Sequence, residues 1–248
     1  MKELTFGSKS AKPDVRRLSD INDVVYDKEF LKNSKDIDLY YMYRDLALSK
    51  KDRDAMKEED LRYDITVIPP GMLGVEYTKT LGHYHPIAPG TDLSYTEIYE
   101  ILEGEAHYLL QKEEKGKITD VVLVKAGKGD KIIMPPNYGH VTINPGRKEL
   151  KMSNLVSGKF SSVYQPYKDK QGGAYFELQK GFVSNRNYGK LPELRIVKAK
   201  NVPELGLKRS KEIYSLVRNG IKKLGFLNRP QDYDWLTDLY KSLEHICT

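Results

Sequence analysis

Short bursts of Val, Ile and Tyr, interrupted by Gly, Pro and charged residues, run through the chain from about Asp38 to Val163. This texture is typical of many short β-strands, because each burst is too short for a helix and ends at turn-forming residues. Nine strands are predicted, over residues 38–46, 61–68, 75–84, 97–102, 107–111, 121–124, 131–134, 140–143 and 151–156. Strands of this number and spacing favour a barrel or jelly roll over a doubly wound parallel sheet. We therefore predict a mainly β fold.

The texture changes beyond Tyr188, where apolar residues recur at three- and four-residue intervals. Ser210 is placed to cap a helix, and Gly225 is placed to end it. The apolar positions of this helix are Ile213, Tyr214, Val217, Ile221 and Leu224, and those of a second helix are Trp235, Leu236, Leu239, Tyr240, Leu243 and Ile246. We predict a β-barrel domain over residues 1–189 and a small α-helical C-terminal extension over residues 190–248, packed on the barrel.

Charge is distributed unevenly along the 248 residues. Lys and Arg number 41 against 35 Asp and Glu, and residues 190–248 hold 12 of the basic and 7 of the acidic residues. The net charge of +6 therefore belongs mainly to this tail, and the preceding residues are nearly neutral. Because no nucleic-acid-binding motif accompanies the tail, we expect no nucleic-acid partner. The charged run at residues 50–60 is predicted to be a solvated loop without a chemical role.

Cysteine content and hydropathy indicate the compartment. The single cysteine, Cys247, allows no internal disulfide and no multi-cysteine metal site. The N-terminus lacks an apolar segment of the signal-peptide kind, and no apolar run reaches the length of a membrane span. We expect a soluble cytoplasmic protein with no membrane partner.

Three histidines and one acidic residue stand in an order that predicts a metal site. His83 and His85 are two residues apart, and on an extended strand such side chains point to the same face. Glu97 opens a later predicted strand, and His140 follows a Pro-Pro turn that can direct it back into the barrel. Three imidazoles and one carboxylate suit a divalent transition metal, with positions left for water or substrate.

These residues belong to an ordered set of motifs. The pattern H-x-H at 83–85 is followed by E-x6-G at 97–104 and by G-x5-P-x4-H-x3-N at 129–144. The set resembles the two cupin motifs, and that resemblance implies a double-stranded β-helix, or jelly-roll, barrel. The sequence contains no P-loop, no dinucleotide-binding fingerprint and no nucleophile elbow.

From about Val15 to Tyr188 the chain also resembles a narrower family, the cupin-type glucose-6-phosphate isomerases known mainly from archaea. The stretches that carry the resemblance are VRRLSD at 15–20, TVIPPG at 66–71, TLGHYHP at 80–86, EIY at 97–99, LLQ at 109–111, the motif at 135–144 and KGF at 180–182. The stretches VRRLSD and TLGHYHP are the ones that distinguish this narrower family from cupins in general.

The resemblance implies roles for particular residues. The implied metal ligands are His83, His85, Glu97 and His140. The implied substrate-binding residues are Thr66, Thr80, Gly82 through its backbone, and Tyr99. Glu97 and Tyr99, which share the inward face of one strand, are the implied catalytic residues.

The reaction implied by the resemblance is the metal-dependent interconversion of glucose 6-phosphate and fructose 6-phosphate, which belongs to glycolysis and gluconeogenesis. It would proceed through a metal-stabilised cis-enediol or through a hydride shift, between which the residues do not decide. Fe(II) is the favoured metal, with Mn, Co, Ni or Zn as alternatives and one ion per chain. A homodimer is expected from the family and from the general frequency of two-fold pairs.

Two other functions stay open because they would use the same ligands: an Fe(II) cupin dioxygenase and a non-catalytic, metal-bearing sugar-binding cupin. The chain also departs from the short members of the family. Eleven residues, 86–96, separate His85 from Glu97, where about six are usual, so the lip of the pocket is expected to differ. The segment at residues 161–175 is longer and contains no histidine, so its phosphate contacts cannot be transferred from the family.

Overall fold

The computed structural model describes residues 3–199, 205–206, 208–236 and 239–240, and it is mainly β. The strands are β1 (Leu4–Phe6), β2 (Lys9–Ala11), β3 (Asp14–Arg17), β4 (Asp38–Tyr43), β5 (Leu61–Ile68), β6 (Met72–Leu73), β7 (Glu76–Tyr77), β8 (Glu97–Glu103), β9 (Glu105–Glu114), β10 (Lys117–Gly127), β11 (Lys131–Met134), β12 (Tyr138–Ile143), β13 (Leu150–Ser157), β14 (Tyr175–Leu178), β15 (Gly181–Ser184) and β16 (Arg195–Lys198). The α-helices are α1 (Leu18–Ile21), α2 (Lys28–Asn33), α3 (Lys50–Glu58), α4 (Gln165–Asp169) and α5 (Ser215–Asn219), and 3₁₀ segments lie at Asn22–Val24, Arg186–Tyr188, Ile221–Leu227, Pro230–Asp232 and Asp234–Leu236. Over these described residues, none of the helices has the length and hydropathy needed to span a membrane.

Two large sheets form the barrel. Their strand orders are β11-β8-β13-β5-β4-β3 and β12-β9-β10-β16. The pairs within them are antiparallel, except that β16 runs parallel to β10. The chain crosses repeatedly from one sheet to the other, between β8 and β9, between β10 and β11, and between β12 and β13. This alternation is the jelly-roll topology, and the predicted mainly β, jelly-roll fold is confirmed.

Eight of the nine predicted strands lie where regular strands occur, but the strand predicted over residues 75–84 is wrong in detail. Its regular part is limited to β7, and beyond it the chain pairs through single bridges, among them the one between His83 and His140. Gly82 has a φ of 86°, which lies outside the extended region and interrupts the strand. The segment nevertheless borders β12 and so extends the smaller sheet.

Apolar side chains from both sheets fill the space between them. On β9, Tyr108 and Leu110 are each 0% exposed, and they meet Ile101 of β8 and Met152 of β13 in one continuous cluster. Burial of a side chain of this size contributes about 1.5–3 kcal/mol. The sheets are therefore held face to face by the same alternating positions that face inward along each strand.

A second apolar cluster covers the opposite face of the larger sheet. Its members from that sheet are Tyr43, Leu61, Tyr63, Ile65, Val67, Ile98, Ile133 and Leu155, and its members from the C-terminal segment are Leu205, Ile213, Tyr214, Leu216, Val217, Leu224, Phe226, Leu227 and Leu236. The C-terminal segment thus packs on the barrel, which explains why β5 is buried along almost its whole length.

The charged run predicted to be a solvated loop is instead helix α3. Ser49 caps the helix by accepting a hydrogen bond from the Asp52 N–H at 3.0 Å. Met56 is 1% exposed within the second cluster, and the buried Asp52 carboxylate accepts a hydrogen bond from Arg218 at 2.9 Å. The prediction failed because the run has almost no apolar periodicity, and the partners that stabilise the helix lie elsewhere in the chain.

The helix predicted from Ser210 to Gly225 is also wrong in its extent. The chain forms α5 and then the 3₁₀ segment Ile221–Leu227, separated by Gly220 with a φ of 157°. A helix does not continue through that conformation, although the predicted apolar residues still face the barrel. Of the second predicted helix, Trp235 and Leu236 lie in a short 3₁₀ segment, and its last residues, Leu243 and Ile246, lie outside the described residues.

The division at residue 189 stays a prediction. Strand β16 lies within the predicted extension and hydrogen-bonds to β10 of the smaller sheet. The extension therefore contributes one strand to the barrel in addition to its helical turns.

Gly104 lies in the turn between β8 and β9, where the backbone packs closely against Glu149. The φ of Gly104 is 80°, and a Cβ there would lie 2.6 Å from the carbonyl oxygen of Glu149. Gly116, in the turn between β9 and β10, has a φ of 75° and no atom within 4 Å of such a Cβ. We expect Gly104→Ala to lower the free energy of unfolding by about 2–4 kcal/mol and Gly116→Ala by about 1 kcal/mol, measured by urea denaturation. Equal losses in the two variants would contradict a steric constraint at Gly104.

Candidate functional site

The structure brings the four predicted metal ligands together between the two sheets. The ligand atoms of His83, His85, Glu97 and His140 all lie within 4.8 Å of one another. Glu97 opens β8 in the larger sheet, and His140 lies on β12 in the smaller one. His83 pairs with His140 through two backbone hydrogen bonds of 3.1 and 3.0 Å, so backbone pairing places their side chains side by side.

The orientation of His85 is set by a backbone contact. Its Nδ1 lies 2.9 Å from the carbonyl oxygen of Tyr95. A carbonyl oxygen only accepts, so Nδ1 carries the hydrogen and Nε2 has a free lone pair. That Nε2 lies 3.3 Å from Glu97 Oε2, inside the cluster. His85 is therefore held in the tautomer that a metal ligand requires.

Glu97 is oriented by Asn154, a residue that the sequence analysis missed. The Asn154 side-chain amide donates a hydrogen bond of 2.6 Å to Glu97 Oε1, and both side chains are buried. Glu97 Oε2 faces the imidazoles of His85 and His140, at 3.3 and 3.7 Å from their Nε2 atoms. One sequence signal could have identified Asn154. Its amide lies among buried residues of strand β13, where a polar group without a hydrogen-bond partner would cost folding free energy.

The donor set fits a divalent transition metal. His85 Nε2, which faces the Glu97 carboxylate, is buried and has no hydrogen-bond partner among the described residues. Burial lowers the pKa of His83 and of His140 well below the usual value for histidine, and the neighbouring imidazoles add to the effect. These rings are therefore neutral at pH 7 and present lone pairs. Neutral imidazoles with one carboxylate are the ligands that such metals take.

The cluster opens on a cavity of about 370 Å³. The predicted substrate-binding residues Thr66, Thr80, Gly82 and Tyr99 all line this cavity together with the four ligands. The hydroxyl oxygen of Thr80 accepts a hydrogen bond of 3.0 Å from the backbone N–H of Thr142, so its own hydrogen is available to a ligand. All of the predicted residues thus share one pocket.

Two of these residues have further constraints. A Cβ on Gly82 would lie 2.7 Å from the ring of Tyr167 and from the side chain of Val141, so only glycine fits at this position. The phenol oxygen of Tyr99 lies 3.3 Å from His140 Nε2. Burial raises the pKa of Tyr99 well above its usual value, so the phenol keeps its proton and acts as a hydrogen-bond donor.

The lip of the pocket is held by hydrogen bonds between Asn137 and the lengthened segment 86–96. The Asn137 side chain accepts a hydrogen bond from the Ser94 N–H at 2.8 Å and donates one to the Asp92 carbonyl at 3.1 Å. Phe160 stacks on Tyr95 with ring centroids 4.8 Å apart and so closes the lip beside His85. The insertion predicted to alter the lip is therefore tied to the turn before β12.

Other residues of the cavity wall were also missed from sequence: Tyr40, Arg44, Arg62, Asp64, Asn154, Phe160 and Tyr164. Several of them alternate with apolar residues along a strand, and no short sequence motif distinguishes them from ordinary strand residues. His107, the other histidine within the described residues, hydrogen-bonds through Nδ1 to Glu177 at 2.8 Å and stands apart from the cluster.

His140→Ala tests the metal site directly. We expect the variant to lose most of its bound divalent metal, measured by elemental analysis after dialysis, because one of four convergent ligands is removed. His107→Ala is the matched control, since it removes a histidine from the neighbouring strand β9 without touching the cluster. Full metal content in a folded His140→Ala variant would contradict the assignment.

Comparison with known proteins identifies the family. A family model described as Glucose-6-phosphate isomerase (GPI) matches residues 15–193. The glucose-6-phosphate isomerase of Thermococcus litoralis is 32% identical over 139 residues, which cover 56% of this chain and 66% of that protein. That of Pyrococcus furiosus is 32% identical, with coverage of 55% and 65%, and that of Thermococcus gammatolerans is 33% identical, with coverage of 64% and 77%. The match thus spans just under two thirds of the length of the first two relatives.

The solved structures that the chain matches are more distant. A recombinant oxalate oxidase in complex with glycolate is 17% identical, with coverage of 52% of this chain and 56% of that chain and a TM-score of 0.38. A 7S globulin of Momordica charantia is 15% identical, with coverage of 49% and 30% and a TM-score of 0.35. Likeness at this level carries no argument about activity. The family model, in contrast, matches well over half of the chain, and the protein therefore belongs to the glucose-6-phosphate isomerase family.

Proposed function

We propose that the protein is a metal-dependent aldose–ketose isomerase that interconverts glucose 6-phosphate and fructose 6-phosphate. The observation that carries this proposal is the convergence of His83, His85, Glu97 and His140 beside a cavity lined by hydroxyl donors, in a chain of this family. The relatives reported above are named glucose-6-phosphate isomerase. A place in glycolysis and gluconeogenesis would follow from that reaction.

The four ligands would hold one divalent ion per chain, with Fe(II) favoured and Mn, Co, Ni or Zn as alternatives. When bound, such an ion supplies Lewis-acid stabilisation of the negative charge that develops on the sugar oxygens. The protein's contribution is to hold three imidazoles and one oriented carboxylate together in one site. Asn154 assists by fixing the Glu97 carboxylate at Oε1.

Glu97 is the proposed base for the proton that moves between C2 and C1. Its Oε2 faces the imidazoles, whereas Oε1 accepts one hydrogen from Asn154 and keeps a second lone pair. Oε1 would take the proton from C2 of the open-chain sugar and return it to C1. Tyr99, which keeps its own proton, would donate a hydrogen bond to a sugar oxygen beside Glu97.

The phosphate end of the substrate is proposed to lie against Thr66, Thr80 and the backbone of Gly82. Hydroxyl and backbone N–H donors of this kind commonly bind phosphate oxygens. Binding at this end supplies interaction energy away from the reacting carbons, which orients C1 and C2 at the catalytic groups. A homodimer is proposed as the functional assembly, consistent with the general frequency of two-fold pairs.

The reaction is tested by supplying fructose 6-phosphate and a divalent metal, and by following glucose 6-phosphate formation with and without oxygen. We expect turnover under both conditions, and its loss when the metal is removed by a chelator. Turnover that depends on oxygen would instead favour the dioxygenase. Binding of the sugar phosphate by the metal-loaded protein without turnover would favour the sugar-binding cupin.

The role of Glu97 is tested with glucose 6-phosphate that carries deuterium at C2. A carboxylate that takes the C2 proton can exchange it with water, so we expect deuterium to appear in the solvent during conversion to fructose 6-phosphate. Mass spectrometry of the product measures the retained label, and protein without metal serves as the control. Complete retention at C1 would contradict free exchange at Glu97 and favour the hydride shift.

A further inference from the structure

Three charged side chains line the cavity beside the metal ligands, and no role has been assigned to them. Arg62 and Asp64 lie two residues apart on β5, and Thr66 follows two residues later on the same face. Arg44 follows β4, the neighbouring strand, and its charged group lies 3.8 Å from the Asp64 carboxylate. Arg44, Arg62 and Asp64 therefore form a charged wall of the cavity next to Thr66.

The Asp64 carboxylate is hydrogen-bonded to neighbouring residues. Asp64 is 4% exposed, and its carboxylate accepts hydrogen bonds from the backbone N–H of Asp45 at 2.8 Å and from Arg62 Nε at 2.8 Å. Arg62 Nε contacts both carboxylate oxygens, so the Arg62 charge is matched within the wall. The Asp64–Arg62 pair thus adds little net charge to the cavity.

Arg44 is also held through its Nε, but by a carboxylate that does not line the cavity. Its Nε donates to Asp14 at 3.0 Å, which fixes the guanidinium from the outer side. Of its two terminal nitrogens, Nη1 lies 3.8 Å from Asp64, beyond hydrogen-bond distance, and Nη2 lies 3.2 Å from Met42 Sδ, a weak acceptor. The guanidinium is therefore held in place through Nε. The N–H groups of its two terminal nitrogens have no oxygen acceptor within hydrogen-bond distance among the described residues.

We propose that Arg44 binds the phosphate group of the sugar-phosphate substrate, and that Asp14 and Asp64 position its guanidinium for this purpose. This inference rests on the proposed function and names a specificity-determining residue for it. A phosphate dianion is the strong acceptor that a guanidinium fork binds through two parallel hydrogen bonds. Thr66 and Thr80 supply neutral donors in the same cavity, and Arg44 supplies the positive charge that they lack.

The experiment compares phosphorylated and unphosphorylated sugar in Arg44 variants of the metal-loaded full chain. For Arg44→Met we expect the KM for fructose 6-phosphate to rise about 10- to 100-fold, the range for losing a hydrogen bond to a charged group. The preference for fructose 6-phosphate over fructose, as a ratio of kcat/KM, should fall by a similar factor. Arg44→Lys, which keeps the charge but loses the fork, should fall between wild type and Arg44→Met.

Arg53→Met is the matched control. It removes the same charge and also breaks an arginine–aspartate pair, to Asp45, but Arg53 lies outside the cavity. We expect its KM for fructose 6-phosphate to stay within about 2-fold of wild type, because an exposed ion pair contributes little. An equal effect of Arg53→Met and Arg44→Met would show a general charge effect and overturn the proposal.

Inorganic phosphate separates this inference from the proposed function. Calorimetric titration of wild type and Arg44→Met with phosphate measures the subsite without turnover, and we expect the affinity to fall about 10-fold or more in the variant. Protein that lacks isomerase activity but shows this loss would refute the proposed function and keep the Arg44 subsite. Equal phosphate affinity in the two proteins, or an equal fall in kcat/KM for both sugars, would show that Arg44 has only a structural role.

Discussion

Backbone pairing between residues 78–84 and the end of β12 is the contact on which the site depends. Four hydrogen bonds make it: Thr80 N–H to Thr142 O, His83 N–H to His140 O, His140 N–H to His83 O, and Asn144 N–H to Thr78 O, at 2.8–3.1 Å. The pairing covers the edge of the smaller sheet. It also places His83 beside His140 and Thr80 beside Thr142, so one set of bonds closes the barrel and assembles both the proposed metal ligands and part of the proposed substrate pocket.

The C-terminal segment completes the fold from the other side of the larger sheet. Its apolar residues cover the outer face of β5, β8 and β13, and its basic residues meet acidic residues of the barrel. Four such pairs are Arg195–Asp120, Arg209–Asp130, Arg218–Asp52 and Lys222–Glu59. The positive charge of the tail is thus partly matched by carboxylates of the nearly neutral barrel. The Arg209 and Lys222 side chains are exposed, so their pairs contribute little, whereas the buried Asp52 depends on Arg218.

The prediction of the fold depended on local signals and succeeded where those signals were strong. Short apolar bursts between turns located β5, β8 and β9 to within a few residues. Helix α3 was missed because its stability comes from Met56 and from the buried Asp52, whose partner Arg218 is 166 residues away in the sequence. The predicted C-terminal helix was interrupted at Gly220, where packing on the barrel imposes a backbone conformation that apolar periodicity does not record.

The sequence by itself predicted the mainly β fold and the four side chains that converge beside the cavity, because short apolar bursts mark strands and the ordered motifs mark the four positions. Only the tertiary structure decided that Asn154 holds the Glu97 carboxylate and that Arg44 pairs with Asp14 outside the cavity lining, whereas Asp64, the partner of Arg62, lines the cavity. The Asn154–Glu97 and Arg44–Asp14 contacts join separate segments of the chain, where hydrogen-bond geometry depends on strand register and on distances between side chains. No local pattern in the sequence encodes which carboxylate each arginine meets, although only one of the two carboxylates, Asp64, lines the cavity.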